Sequence, residues 1–197
     1  MSSFGSHRVR RSASRFLSRF GRAERGATAV EFGLIGLPFF ILVFGVMEVT
    51  MVFLVTTTLE SATEVAARQI RTGEFQSGGS HSKSDFKALV CTKMSRLATA
   101  CSTDMFVDVR TFSSFASLGA NTPVPGTSFD PNNTCFTAGE PTDIVLVRTY
   151  YRWHLFTPLL NNALQNMGSG SGMRLLSSAT AFRNEPYNEN APVGAHC

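Results

Sequence analysis

Charged side chains are scarce in this 197-residue chain, at 16 % of all residues, and a basic body is missing altogether. Residues 1–26 hold seven of the 18 Lys and Arg residues and a single acid, Glu24. The remainder, residues 27–197, holds the other 11 Lys and Arg against 13 Asp and Glu, so its net charge is −2. Since the positive charge is confined to the head, the body lacks the basic stripe of a nucleic-acid-binding protein, and we predict no nucleic-acid partner.

The chain also lacks the short motifs of common enzymes and zinc sites. It contains no Gly-x-Ser-x-Gly and no His-Glu-x-x-His, and the glycines of 168–172 are not followed by the Lys-Ser/Thr of a phosphate-binding loop. No Cys-x-x-Cys is present, and beyond His196-Cys197 no Cys/His pair has ligand spacing. We therefore predict no catalytic residue, metal or cofactor. An envelope enzyme whose catalytic site has no recognisable motif stays open as a hypothesis, and it is less supported than the two described at the end of this subsection.

A long uncharged run follows the basic head. No charge occurs from Phe32 to Met47, and the apolar character continues past Glu48 to Val55. About 20 helical residues cross the ~30 Å hydrocarbon core of a bilayer, so the 24 residues of Phe32–Val55 are sufficient. The run is too long for the apolar region of a secretory signal peptide, and the neighbouring arginines argue against a buried helix of a soluble domain. We predict a retained membrane anchor.

The distributions of positive charge and of cysteine predict the same topology. Positively charged flanks stay in the cytoplasm, which places the arginine-rich head inside and residues after about 59 outside. All four cysteines (Cys91, Cys101, Cys135 and Cys197) follow the apolar run, in a compartment that permits disulfides. Four cysteines allow three pairings, one of which joins Cys91 to Cys101 and Cys135 to Cys197.

One long helix is predicted from the apolar run onward. Apolar residues continue beyond the run at helical spacing and form one stripe: Val55, Leu59, Ala62, Ala66 and Ile70. Gly73 supplies a C-terminal stop, so we expect the helix over about 28–72. Pro38 is expected to bend or loosen it, because proline removes a backbone donor.

The rest of the chain predicts a small α+β domain. After a Gly/Ser linker at 76–84, a second helix is expected over 83–99 with Ser84 as its N-cap, and a short helix over 155–167. Alternating or β-branched runs predict three strands, at 105–112, 143–153 and 173–183, with 113–142 irregular. The economical assembly is a set of helices packed on a roughly three-stranded antiparallel sheet.

The residues between the head and the apolar run resemble a processing site. Gly26-Ala27-Thr28-Ala29-Val30-Glu31-Phe32-Gly33 is very similar to the cleavage site of the Flp/Tad branch of type IV prepilins. In that branch the glycine precedes the cut, and the acid is followed by an aromatic residue, usually tyrosine, whose place Phe32 takes here. The chain length, Cys91 and Cys101, and the segments 107–110, 147–153 and 181–186 resemble the TadE-like pseudopilins.

The resemblance implies a substrate of prepilin peptidase that is cut after Gly26. The cut would leave Ala27 with an α-ammonium at the edge of the bilayer, where an unpaired charge is costly. Glu31, about one helical turn further on, would neutralise that ammonium in its own chain or in a neighbour; an acid placed only to complement the helix dipole is the alternative. Glu31, Pro38 and Glu48 are expected to make assembly contacts, although an outer-leaflet position alone would also accommodate Glu48.

The same resemblance implies the organisation and the partners of the protein. A cytoplasmic leader occupies 1–26, a transmembrane helix 27–58, its extramembrane continuation 59–73, and a periplasmic α+β domain 74–197. The expected partners are prepilin peptidase, sibling pseudopilins and the major pilin, the inner-membrane secretion platform with its ATPase, and membrane lipid. The protein would be a minor pseudopilin of the bacterial inner membrane, at the base or tip of a Tad-type pilus. The alternative is an unprocessed single-pass anchor that presents an extracytoplasmic binding domain.

Overall fold

The computed structural model describes residues 24–78, 82–94, 100–120 and 124–187. The chain divides into two compact units, of which the first ends at Val46 and the second begins at Met47. Most of the predicted leader, residues 1–23, lies outside the described residues, and so does Cys197.

Helix α1 runs from Glu24 to Arg71 and contributes to both units. The backbone is helical on both sides of Pro38, which lies inside the helix. The helix ends where Gly73 adopts a φ of 74°, a left-handed conformation that glycine takes without steric cost. The Gly73 N–H then donates to the Ile70 carbonyl at 3.1 Å, which satisfies one of the last carbonyls of α1. The predicted long N-terminal helix is confirmed.

Three antiparallel strands form one sheet in the second unit. They are β1 Met105–Phe112, β2 Ile144–His154 and β3 Met173–Arg183, in the spatial order β1-β2-β3. We call the end at which Ile144 pairs with Arg183 the distal end, and the end at which His154 pairs with Met173 the proximal end. The sheet is as predicted, except that β2 begins and ends one residue later than expected.

Short helices connect these elements. After α1 the described residues form α2 Glu74–Ser77, α3 Lys83–Met94, α4 Cys101–Asp104 and α5 Asn161–Leu164. The prediction of a linker from residue 76 is wrong at its start, because Gln76 and Ser77 belong to α2. Gln76 is buried there, and its Nε2 donates to the Ile70 carbonyl at 3.2 Å.

The N-cap of α3 is Ser82 and not the predicted Ser84. The Asp85 N–H donates to Ser82 Oγ at 3.2 Å, and the Ser82 N–H donates to the Asp85 carboxylate at 3.1 Å. This reciprocal pair is a capping box, which fixes the first turn more firmly than a single serine does. The predicted C-terminal part of this helix, residues 95–99, lies outside the described residues.

Residues 155–167 do not form the single helix that was predicted. A 3-10 turn, Pro158–Leu160, is followed by the one-turn helix α5. Proline cannot donate a backbone hydrogen bond, and the adjacent Asn161 and Asn162 are weak helix formers. The regular α-helix in this segment is therefore limited to the single turn α5.

The second half of α1 packs on one face of the sheet. Every residue of the predicted stripe is buried, with at most 2 % of its surface exposed: Val55, Leu59, Ala62, Ala66 and Ile70. They share one apolar core with strand residues such as Val107 and Val147. Thr63 lies in the same interface, where its Oγ1 is 2.6 Å from Thr149 Oγ1. Since burying one Leu or Ile contributes about 1.5–3 kcal/mol, this stripe is the main attachment of the helix to the sheet.

α1 and β2 run in opposite directions along this interface. Glu48 contacts the residues that follow β2, whereas at the other end of α1 the Arg71 carbonyl accepts a hydrogen bond at 2.8 Å from the N–H of Glu185, which follows β3. From residue 48 to residue 71, α1 extends about 35 Å, which is close to the length of an 11-residue strand.

Candidate functional site

The motif around Gly26 lies at the start of α1. The helix begins at Glu24, so the Gly26–Ala27 peptide bond is in its first turn. Gly26 is half-buried, and the residues from Thr28 to Phe32 are exposed. Helix ends fray, and glycine weakens a helix by roughly 0.5–1 kcal/mol relative to alanine. This turn therefore unwinds at low cost, which leaves the bond open to the extended geometry that a protease binds.

Glu31 is an exposed acid four residues after Ala27. Residues four apart lie on the same helix face, about 6 Å from each other along the axis. In the part of the chain that the structure describes, the Glu31 carboxylate has no ion-pair or hydrogen-bond partner. The acid is thus available to a positive charge at the start of the helix.

Exposed apolar side chains surround α1 as far as Leu54. Phe32 and Leu34 are 72 % and 76 % exposed, and the band they begin continues through Pro38 to Phe53 and Leu54. Only 11 % of the most apolar window is buried, whereas the core helix of a soluble protein would be mostly buried. Among the described residues, α1 is the one helix that is long and apolar enough to cross a membrane. The helix fits a single-pass membrane protein.

Glu48 is fully buried, although its neighbours Met47 and Val49 are exposed. One oxygen of its carboxylate, Oε2, accepts a hydrogen bond from the Thr157 N–H at 2.8 Å and another from the Phe156 N–H at 3.1 Å. A side chain of α1 thus satisfies two backbone donors of the β2–β3 connection. Sequence reasoning missed this contact, and the expected contact of Glu48 with a partner helix stays a prediction.

The cysteines lie in the domain formed by the second unit. Cys91 and Cys101 form a disulfide, with their Cα atoms 5.7 Å apart, which joins α3 to the turn that leads into β1. Cys135 is also disulfide-bonded, but its predicted partner Cys197 lies outside the described residues, so that pairing stays a prediction. Within the described ranges, no three His, Cys, Asp or Glu side chains form a group that could hold a metal ion.

A buried charged cluster on the opposite face of the sheet was not foreseen. Asp108 of β1 accepts hydrogen bonds from Arg148 Nε at 2.9 Å, from Arg110 Nε at 3.0 Å and from the Cys135 N–H at 2.8 Å. Asp108 and Arg148 face each other in the register of β1 and β2, and both are at least 95 % buried. Opposite charges at matching positions of two predicted strands are the sequence signal that could have found this pair.

The Asp108 cluster is suited to holding structure rather than to catalysis. It lines a cleft of about 240 Å³ together with Phe129 and Tyr150. Both carboxylate oxygens already accept hydrogen bonds, so Asp108 is not available as a general base. Beside it, Lys83 Nζ donates to the Thr134 carbonyl at 2.8 Å, and burial lowers the pKa of Lys83 against the opposing attraction of Asp108. These contacts fix the loop that carries Cys135 to the sheet.

Comparison with known proteins yields one family. Residues 26–68 match the family model described as TadE-like protein. No curated protein and no solved structure matches. The resemblance drawn from the residues around Gly26 and Glu31 is thereby confirmed for this segment, and the TadE-like family consists of structural pilus components rather than catalysts.

Proposed function

We propose that this TadE-like chain is a minor pseudopilin of a Tad-type pilus or a related secretion apparatus, processed by a prepilin peptidase after Gly26. One observation carries the proposal. The family match begins at Gly26, and it coincides there with a weak first helical turn, the exposed Glu31 and a band of exposed apolar side chains. The basic residues 1–26 stay on the cytoplasmic side, since positive flanks are retained there.

Processing creates the partner that Glu31 lacks. Hydrolysis of the Gly26–Ala27 bond consumes one water and leaves a carboxylate on Gly26 and an α-ammonium on Ala27. At the edge of the hydrocarbon an unpaired ammonium is costly, and Glu31 lies one turn away on the same helix face. The Glu31 carboxylate pairs with the ammonium of its own chain or of a neighbouring subunit, and the second pairing fixes the axial register of packed helices.

Incorporation follows from the exposed band of α1. Sibling pseudopilins and the major pilin cover this band by helix–helix packing in the membrane, with Pro38 among the contacts. The fully buried Glu48 would act there through the Phe156 and Thr157 backbone that it holds. The sheet packs along the second half of α1, so each subunit brings a bulky domain with it. Such bulk suits a subunit at the base or tip of the pilus rather than a repeating subunit. The secretion platform and its ATPase would engage the subunit there.

The decisive test is the N-terminus of the native protein in membranes that contain an active prepilin peptidase. Mass spectrometry should find a mature chain that begins at Ala27. Gly26→Val should block maturation, because a β-branched side chain prevents close approach of the peptidase to the backbone. Gly36→Val is the matched control, since an added Cβ there meets only the Phe32 ring, at an ordinary 3.8 Å. Recovery of intact residues 1–26 would contradict the proposal.

The cleft beside Asp108 favours the second candidate, an unprocessed anchor whose extracytoplasmic domain binds a ligand or a protein. Glu31→Gln separates the two functions. In a pseudopilin this change leaves membrane insertion intact and reduces co-purification with sibling subunits, because the amide does not pair with the Ala27 ammonium. In an anchor it has no effect on partner binding.

A further inference from the structure

We propose that the first part of the β2–β3 connection, residues 155–164, rests in the membrane interface beside α1 as a second lipid-contacting element. The proposal rests on the proposed function in one respect, namely that α1 crosses the membrane. The connection contacts the bilayer itself, at the depth where acyl chains meet headgroups.

The position of Glu48 sets the depth of the connection. Glu48 holds the backbone of Phe156 and Thr157, and it lies within the exposed apolar band rather than beyond it. The band continues from Glu48 to Leu54, which is about 9 Å further along the helix. If lipid covers the band, a segment bonded to Glu48 is held at the level of lipid.

The composition of the connection agrees with this depth. No charged residue occurs from 155 to 172, whereas the β1–β2 connection carries Asp130, Glu140 and Asp143. Phe156 is 56 % exposed, and its ring lies 5.8 Å from that of Trp153, a residue type that membrane interfaces favour. The uncharged connection is therefore the one that Glu48 holds.

Hydrogen bonds within the protein satisfy several backbone polar groups of the connection and so permit it to lie near lipid. Irregular backbone near lipid is tolerated only where its polar groups find partners inside the protein. The Phe156 and Thr157 N–H groups donate to Glu48, and the Leu155 N–H donates to the Gly172 carbonyl at 2.9 Å. Arg174 Nη1 donates to the Leu164 carbonyl at 2.7 Å, which leaves a cation at the border of the connection, near where phosphate groups would lie. The same contacts give a reason for an acid inside the apolar band.

Tryptophan quenching tests the proposal, because Trp153 is the sole tryptophan of the chain. In a Trp153→Phe background, three variants of the full chain each carry one new tryptophan: Phe156→Trp, Phe115→Trp and Phe44→Trp. The chains are reconstituted in vesicles of phosphatidylcholine and phosphatidylglycerol whose acyl chains are brominated either near the headgroup or near the methyl end. Phe115 is the matched control, since it is 54 % exposed and follows β1 at the distal end of the sheet.

We expect tryptophan at 156 to lose more emission to bromine near the headgroup than to bromine near the methyl end, while tryptophan at 115 keeps its emission. Tryptophan at 44 reports insertion of α1. Quenching at 44 without quenching at 156 overturns the lipid contact of the connection but leaves the proposed function standing. The surface around Phe156 would then be one that binds a protein partner. Equal quenching at 156 and 115 overturns it as well, since the contact would not be confined to the connection. No quenching at 44 means that α1 does not insert, and the proposed function fails with the inference.

Discussion

The two halves of α1 contain the same kinds of apolar residue in very different surroundings. Leu42 is 65 % exposed and Leu59 is fully buried, although both belong to one continuous helix. In the first half apolar residues occupy every face, whereas in the second half they occupy one stripe and acids such as Glu60 face outward. The arrangement of apolar residues around the helix, more than their number, therefore separates the half suited to lipid from the half that packs on a sheet.

The domain is also fastened differently at the two ends of its contact with α1. At the proximal end a buried carboxylate, Glu48, accepts backbone hydrogen bonds. At the distal end, Tyr187 lies against Gly73, donates from its hydroxyl to the Gly139 carbonyl at 2.9 Å and accepts from Gln76 Nε2 at 3.1 Å. The nearby Arg71–Glu185 ion pair is about half-exposed on both sides, so it contributes little by itself.

The largest effect is expected from removing one side chain of the buried stripe. Leu59→Ala should lower the free energy of unfolding of the domain by about 2–5 kcal/mol, because it leaves a cavity between α1 and the sheet. Leu42→Ala, the same change in the exposed half, should alter it by less than about 0.5 kcal/mol. Urea unfolding in detergent micelles, followed by the fluorescence of Trp153, measures both. Equal losses would show that the two halves of α1 are not distinguished by packing.

Local periodicity explains what the sequence could predict. The stripe from Val55 to Ile70 repeats at helical spacing and the strands alternate, so the long helix and the sheet were predicted within a residue or two at most boundaries. These patterns are properties of neighbouring residues, and each is determined within a few turns of chain. The TadE-like character of residues 26–68 was readable for the same reason, since its motif is short and contiguous.

The contacts that periodicity cannot predict join residues far apart in sequence. Glu48 and Phe156 are 108 residues apart, and Asp108 and Arg148 are 40 apart. Taken alone, Glu48 is an unexplained acid in an apolar run, and Asp108 is one polar position of an alternating strand. Their partners become evident only when α1 is laid along the sheet and the strand register is known. The misplaced N-cap is a smaller error of the same kind, since two serines flank the start of α3 and only the Asp85 contact selects Ser82.

An intermediate effect is expected at the proximal end. Glu48→Ala should destabilise the domain by about 1–3 kcal/mol, because two partly buried backbone donors lose their acceptor. The amide hydrogens of Phe156 and Thr157 should then exchange at least about tenfold faster, since local opening no longer breaks those bonds. Glu60→Ala, which removes an exposed acid from the same helix, is the control for the loss of charge. Hydrogen-exchange mass spectrometry of the peptide that contains Phe156 compares the two variants. Unchanged exchange in Glu48→Ala would show that Glu48 does not hold this backbone.

The smallest effect concerns the distal end and depends on pH. Burial raises the pKa of Tyr187 above its ordinary value of 10.0, an effect that the hydrogen bond from Asn184 opposes and the charge of Asp143 reinforces. Between pH 10 and the raised value, the unfolded chain has released the phenol proton while the folded chain retains it. The contribution of Tyr187 to stability is therefore complete below pH 10 and declines as the pH rises through that window.

Tyr187→Phe isolates this contribution. At neutral pH the variant should be less stable than the parent by about 1 kcal/mol, because the Gly139 carbonyl loses the hydroxyl donor. Above pH 10 that difference should shrink, since only the parent carries the titrating phenol. Lys83, whose pKa burial lowers, titrates in both proteins, so its opposite slope cancels in the difference. Asn184→Ala weakens the same end of the contact without removing a titrating group, and it should keep the part of the falling stability above pH 10 that comes from Tyr187. If the free energies of unfolding of the parent and Tyr187→Phe differ by a constant amount across the alkaline range, burial of the phenol contributes nothing that depends on pH. The hydroxyl then acts at the distal end through its hydrogen bonds, and the two ends of the helix–sheet contact differ in geometry alone.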